Sequence, residues 1–214
     1  MVRRLALNTK TKNRTRRLVY IAIFIALIIV GAFIKFPVGI VPVSMQCAFC
    51  ILCALILGAK DGTVAILIYL AMGLVGIPIF TAGGGFSYVL QPTFGYMLGY
   101  IFAIPAGALI ARGVRNTPNP KLWRLLLGAF TALVIVYFVG VMYMYLMLNF
   151  YVGNEIEIGK AWLTGCAIFL PTDCMWCVVG SLVAWRILPR LGLARQNVIN
   201  SKKSVQYEEY RREG

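Results

Sequence analysis

Residues 76–100 read GIPIFTAGGGFSYVLQPTFGYMLGY, and this stretch decides the fold. It lies within residues 62–111, which contain no charged side chain. One membrane helix needs only about 20 apolar residues, so a run of this length must turn somewhere. Pro78, the glycines at 83–85 and Pro92 are strong helix breakers. They predict a loop between two membrane helices.

The composition of this loop suggests a binding role. Three consecutive glycines allow a backbone to approach another group closely. Thr81, Ser87, Tyr88 and Gln91 add hydrogen-bonding groups that carry no charge. Two interpretations stay open from the residues alone: a lid over a neutral or weakly polar ligand, or an ordinary re-entrant turn.

The whole chain has the composition of a membrane protein. Of its 214 residues, 60% are hydrophobic and 13% are charged, whereas a soluble domain has about 25% charged residues. We therefore expect one integral membrane bundle with the lipid bilayer as its surroundings, and no separate soluble domain.

Uncharged runs bounded by charges and helix breakers predict an all-α, polytopic membrane protein with six transmembrane helices. Lys60–Gly62 is predicted to be the turn between the second and third helices, and Pro171 is expected to interrupt the sixth. The predicted spans are Leu18–Ile34, Ser44–Ala59, Thr63–Ile77, Pro92–Ala111, Leu125–Phe150 and Ala161–Arg186. The chain then divides into a basic N-terminal segment (1–17), a six-helix substrate-binding domain (18–191) and a charged tail (192–214).

The distribution of charge predicts the orientation. The net charge is +14, and 19 of the 21 Lys and Arg residues fall in segments that this topology places on one side of the membrane. Lys35 and Lys160 are the two on the other side. Cytoplasmic flanks of membrane helices carry the excess of basic residues, so both termini are predicted to be cytoplasmic. Because the basic residues border membrane spans, we do not expect nucleic acid as a partner.

Few residues are suited to catalysis. The chain has no histidine and seven acidic residues, which removes the commonest general base and metal ligand. Asp173 is the acid predicted to lie inside a span, where a charge costs about 2.5–3.5 kcal/mol on insertion scales. We expect it to contact a ligand; the alternative is a helix cap near the outer surface.

The cysteines permit a second hypothesis. Cys47, Cys50 and Cys53 have CxxCxxC spacing, and Cys174 and Cys177 have CxxC spacing. Such arrays can bind zinc or iron–sulfur clusters, which would make this a membrane redox or metal protein. Within a membrane helix, however, cysteine packs as a small hydrophobe. We therefore expect helix packing and no metal site.

Four stretches together resemble the biotin-specific, BioY-type S-component family of energy-coupling factor (ECF) transporters. The matching stretches are VPVSMQ (41–46), ILGAKDGTVAILIYLAMGLVGIPIFTAGGG (56–85), QPTFGYMLGY (91–100) and FLPTDCMWC (169–177). The resemblance extends over Leu18–Leu191, and the combination is more specific than any single piece.

The resemblance implies a transport subunit in a bacterial plasma membrane and no enzyme activity in this chain. Such a subunit captures a vitamin, here biotin, as a transported ligand and not as a cofactor. It would assemble with a transmembrane coupling subunit and two ATPase subunits. In keeping with this, the chain lacks the GxxxxGK[ST] phosphate loop. Ala22 and Ala26 match the AxxxA pattern with which S-components dock on the coupling subunit.

The resemblance also nominates a binding site by position. The residues are Gln46, Gly84, Gly85, Thr93, Tyr96 and Asp173. One departure concerns the last helix, where Trp176 stands in the position of the family's usual lysine. Without that charge, a ligand carboxylate would need backbone groups, hydroxyls, Lys35 or Lys160. A related acid such as lipoate is the alternative cargo.

Overall fold

The computed structural model describes residues 2–36, 43–113, 116–117, 119–153 and 156–191. Within them the chain forms a helical bundle. The helices are α1 (Val2–Phe33), α2 (Gln46–Leu74), α3 (Phe94–Arg112), α4 (Leu122–Leu146), α5 (Ile158–Trp162) and α6 (Leu170–Leu191). A 3-10 turn spans Phe86–Leu90, and π-helical turns span Met147–Val152 and Leu163–Ala167.

Five of these helices are long and apolar enough to cross a membrane: α1, α2, α3, α6 and α4 with its π-helical extension. Helix α2 consists of two limbs, 46–57 and 59–74, that fold back on each other. A methyl group added at Gly62 would lie 3.6 Å from the Cys53 carbonyl oxygen and 3.8 Å from the Ala54 Cα. Counting the two limbs separately, the described residues form six helical segments at the membrane, and the predicted all-α membrane fold class is confirmed.

The turn between the two limbs is at Gly58, so its predicted position at Lys60–Gly62 was wrong. Gly58 has φ 81° and ψ −179°, a conformation that side-chain-bearing residues rarely adopt. A Cβ there would also lie 2.5 Å from the Asn116 Oδ1 atom. Lys60, Asp61 and Gly62 are all helical and belong to the second limb, so the glycine of the predicted turn does not make the reversal.

Arg112 completes this turn from α3. A helix that stops leaves its last four carbonyls without partners, and the Arg112 guanidinium donates to the carbonyl of Ile56 at 2.5 Å. It also donates to the Asn116 carbonyl at 3.5 Å. The Arg112 side chain is only 1% exposed, so it acts as an internal cap for the first limb of α2.

The predicted sixth span also needs correction. It does not begin at Ala161, because α5 and a π-helical turn occupy residues 158–167 and α6 begins at Leu170. Pro171 is the second residue of α6 and does not interrupt it. The N–H groups in the first turn of a helix have no acceptor within the helix, so a proline there removes no helix hydrogen bond. This explains the position of Pro171.

A pair of two-residue strands was not predicted. Strand β1 (Lys35–Phe36) pairs antiparallel with β2 (Val43–Ser44), with Lys35 opposite Ser44. Two residues are too few to show the alternation of apolar and polar side chains from which a strand is predicted. The predicted loop between them, like the predicted tail at 192–214, falls largely outside the described residues. Helix α1 already begins at Val2, so the basic segment continues directly into the first span.

The predicted glycine-rich loop lies between α2 and α3. Gly83 and Gly85 have positive φ values of 118° and 103°. A Cβ at Gly84 would lie 2.2 Å from the Ile77 carbonyl oxygen. The close approach that the triplet permits is therefore to the loop's own backbone.

Two ends of the bundle can be distinguished. At one, which we call the basic end, Arg16 donates to the Leu191 carbonyl and Arg17 pairs with Asp61. These contacts bring the start of the first span, the α2 turn and the end of α6 together. The β1–β2 pair and the glycine-rich loop lie at the opposite end, which we call the cavity end.

Helices α3 and α4 approach each other closely through glycines. A Cβ at Gly128 would lie 2.4 Å from the Gly107 carbonyl oxygen, and one at Gly140 would lie 2.4 Å from the Tyr96 ring. Small residues permit such approach between membrane helices. This contact positions two helices that together contribute five lining residues to the cavity.

Candidate ligand-binding cavity

A cavity opens at the cavity end of the bundle. The start of α2 and strand β2 form one side, α3 and α4 form another, and α6 and the glycine-rich loop complete the lining. The lining residues are Ser44, Gln46, Cys47, Thr81, Thr93, Tyr96, Met97, Tyr100, Val136, Tyr137, Phe169 and Asp173.

Asp173 supplies the charged group of the lining. It sits in the first turn of α6 and is 8% exposed. The Tyr137 hydroxyl donates to its Oδ2 atom at 2.6 Å, which stabilises a carboxylate in these surroundings. An ionised carboxylate can accept further hydrogen bonds, so Asp173 can receive N–H groups from a ligand.

Gln46 provides the opposite hydrogen-bonding capacity. Its side chain is 3% exposed, and its amide nitrogen has no hydrogen-bond partner. A buried donor without a partner costs about 1–3 kcal/mol. A ligand acceptor in the cavity would remove that cost.

The rim next to the glycine-rich loop is a chain of hydroxyls. The Thr81 and Tyr88 hydroxyls are 2.8 Å apart, and Thr93 donates to the Tyr88 hydroxyl at 3.4 Å. Thr81 and Thr93 line the cavity, while Tyr88 lies behind them. The loop is thereby connected to the start of α3.

Aromatic rings form much of the wall. Tyr96 and Tyr137 meet edge to face with ring centroids 6.5 Å apart, and Tyr100 and Phe169 add two more rings. The Tyr96 hydroxyl donates to the Gly165 carbonyl at 2.6 Å, which fixes the ring. Such walls suit a compact apolar ring system with a few polar groups.

The residues nominated from sequence divide into two groups. Gln46, Thr93, Tyr96 and Asp173 line the cavity, whereas Gly84, Gly85 and Trp176 do not. Gly84 packs on the Ile77 carbonyl, and the Gly85 N–H donates to the Gly73 carbonyl at 2.7 Å. Both glycines thus shape the loop from behind the lining. Trp176 is half-buried in α6.

Sequence reasoning missed several lining residues. Tyr137 was not among the residues nominated from sequence, yet its hydroxyl donates to Asp173. The available signal was that an acid inside a span requires a partner. Ser44, Cys47 and Phe169 carried no comparable signal, because nothing local indicates which distant helix they face.

The cysteine arrays are not arranged as a metal site. Within the described residues, no group of three or more His, Cys, Asp or Glu could hold a metal ion. All six cysteines are unpaired, and Cys50 and Cys53 are fully buried in the core. Cys50 and Cys53 therefore pack within the bundle core.

The nominated docking alanines lie elsewhere. Ala22 and Ala26 are exposed on α1, whereas Ile21, Phe24 and Ile28 on the same helix are buried. None of the described lining residues belongs to helix α1. The outward face of α1 is therefore free to contact lipid or another chain.

Comparisons with known proteins agree with this architecture. A family model described as the BioY family matches residues 6–192. A probable biotin transporter BioY of Lysinibacillus sphaericus is 37% identical over 82% of this chain and 88% of the relative. The biotin transporter BioY of Thermotoga maritima is also 37% identical, over 80% of this chain and 95% of the relative.

A solved structure has the same fold. It is described as the S-component for biotin from an ECF-type ABC transporter, and it matches with a TM-score of 0.71 and 24% identity. The match covers 84% of this chain and 92% of the other. With the family model covering nearly all the membrane segments, the chain belongs to the BioY family.

Proposed function

We propose that this protein captures biotin as the substrate-binding S-component of an ECF-type importer. The observation that carries the proposal is that Gln46 and Asp173 both line one cavity of a BioY-family chain. Gln46 offers a buried donor without a partner, and Asp173 offers a buried acceptor.

These two groups complement a ureido ring. Biotin presents ureido N–H donors beside a C=O acceptor, on an apolar bicyclic body. Asp173 would accept from an N–H group, and Gln46 would donate to the carbonyl. The rings of Tyr96, Tyr100 and Phe169 would contact the apolar body. Buried polar groups of this kind supply specificity because the wrong ligand leaves them unpaired.

The same argument separates biotin from lipoate. The dithiolane ring of lipoate has no N–H donor and no carbonyl acceptor. Lipoate would therefore leave the Gln46 amide nitrogen unpaired and place apolar atoms against Asp173. Each unmatched group costs about 1–3 kcal/mol, so biotin should bind at least about tenfold more tightly.

Titration calorimetry of the detergent-purified protein with biotin and then lipoate tests this function. We expect one-to-one biotin binding and much weaker lipoate binding. Asp173→Asn removes the charge without changing the size of the side chain, and it should weaken biotin binding while leaving the protein folded. Lipoate binding more tightly than biotin would change the cargo, and wild-type affinity in Asp173→Asn would remove Asp173 from the site.

Transport requires partners that this chain does not supply. We infer that a transmembrane coupling subunit contacts the α1 face around Ala22 and Ala26, and that two ATPase subunits provide the energy. Small residues exposed on a membrane helix suit close helix packing. The placement that fits these partners is a bacterial plasma membrane, with the basic end of the bundle in the cytoplasm.

A further inference from the structure

The charged side chain in the cavity and the carboxylate of the proposed ligand have the same sign, so the lining offers no countercharge to the ligand. Biotin carries a carboxylate that is ionised at neutral pH. Among the described lining residues, Asp173 is the one with a formally charged side chain, and that charge is negative. The ligand's carboxylate should therefore lie away from Asp173 and near a cation that is not part of the lining.

Lys35 lies next to the lining at two independent points. In the β1–β2 ladder it is directly opposite Ser44, which lines the cavity. Residues opposite each other in an antiparallel pair have Cβ atoms about 4.5–5.5 Å apart on the same face. The Lys35 ammonium also donates to the carbonyl of Thr81, a second lining residue.

Other cations are directed elsewhere. Arg16, Arg17 and Arg112 make their hydrogen bonds at the basic end. In the part of the chain that the structure describes, no other hydrogen bond from a lysine or arginine side chain ends on a lining residue. Helix α6 contributes Asp173 to the cavity but no cation.

We propose that the Lys35 ammonium binds the carboxylate of the transported acid at the mouth of the cavity. This inference rests on the proposed function. The ammonium has three N–H donors and uses one on Thr81, which leaves donors for a carboxylate. Lys35 is exposed, so it can reach an incoming anion before the ligand is enclosed. It then fixes the acid tail at the rim and directs the ring system toward Asp173.

Binding of biotin and of biotinamide, an uncharged carboxamide analogue, tests this role by calorimetry. The wild type should prefer biotin by about tenfold, as expected for a charge-assisted contact at a partly exposed rim. Lys35→Met should remove that preference by weakening biotin alone, and Lys35→Arg should retain it. Lys160→Met is the matched control, because Lys160 is the other lysine assigned to this side of the membrane, and it should bind like the wild type.

The outcomes separate this inference from the proposed function. If the wild type binds biotin and biotinamide equally, Lys35 is not the carboxylate site, whatever the variants do. The same holds if Lys35→Met keeps the preference or if Lys160→Met loses it. A wild type that binds neither compound would overturn the proposed function and this inference together. Because the wild-type comparison is decisive by itself, a variant that failed to fold would not prevent the test.

Discussion

Gln46 is a residue whose side chain should lower the stability of the unliganded protein and yet favour ligand binding. Its amide nitrogen is buried without a partner, so the unliganded protein bears a desolvation cost that a ligand carbonyl would remove. An isolated buried donor of this kind does not help the fold. It helps a complex.

The Gln46→Leu substitution should therefore have opposite effects on stability and binding. Replacing the unpaired amide by an apolar group of similar shape should stabilise the unliganded protein by about 1 kcal/mol. The same change should weaken biotin binding about tenfold, because the ligand carbonyl loses its donor. Thermal unfolding without ligand and calorimetry with biotin measure the two effects.

Gln91→Leu is the matched control, since Gln91 is half-buried and does not line the cavity. It should leave biotin affinity unchanged. If Gln46→Leu lowered stability and affinity together, Gln46 would be a structural residue and not a ligand donor.

The sequence predicted the polar lining residues of the cavity better than the aromatic ones. Asp173 could be identified because a lone acid in an apolar span is costly, and Thr81 stood out in an uncharged loop. Tyr137 and Phe169 could not, because an aromatic residue in a membrane helix looks the same whether it faces lipid, core or ligand. Their position depends on how α4 and α6 are rotated, which is set by long-range packing.

The turn of the α2 hairpin is capped by Arg112, a residue far away in sequence. The glycine at its turn can be recognised locally, but charges at Lys60 and Asp61 suggested a turn two residues later. The contribution of Arg112 could not be predicted, because it joins the end of α3 to a carbonyl in α2.

Arg112→Met should lower the midpoint of thermal unfolding. The substitution keeps an apolar stem but leaves the buried Ile56 carbonyl without a donor, which costs about 1–3 kcal/mol. Arg186→Met, at an exposed position of α6, should change stability by less than about 0.5 kcal/mol. Equal effects of the two substitutions would contradict the capping role of Arg112.

The exposed alanines of helix α1 form the proposed docking surface for the coupling subunit. Phenylalanine at Ala22 and Ala26 should abolish co-purification with the coupling subunit, because the added rings prevent close helix contact. Biotin binding should be unchanged, since α1 contributes no lining residue. Val134→Phe, on the exposed face of α4, is the control that should spare both properties. Assembly that survives the alanine substitutions would move the docking surface elsewhere.

For the whole molecule, the number of membrane segments could be predicted because bilayer thickness fixes helix length. The order of contacts between them could not. The pairing of Arg17 with Asp61 and the contact of Arg16 with Leu191 place both ends of the membrane domain at one end of the bundle. This agrees with the prediction from charge that both termini are cytoplasmic.

Reporter fusions test this orientation. Fluorescent proteins fused to either terminus should be cytoplasmic, whereas a short tag inserted at Gly153, which is exposed beyond α4, should be labelled from outside intact cells. Labelling of a terminus from outside would reverse the orientation and place the cavity mouth in the cytoplasm.

The glycine contacts between α3 and α4 have a consequence for cargo size. Gly140 lies against the ring of Tyr96, and Tyr96 meets Tyr137 across the cavity wall. A larger residue at Gly140 would displace the Tyr96 ring and change the width of the cavity, although no lining residue would be substituted. Substitutions at positions such as Gly140, which do not contact the ligand, could therefore change the size of ligand that the cavity accepts.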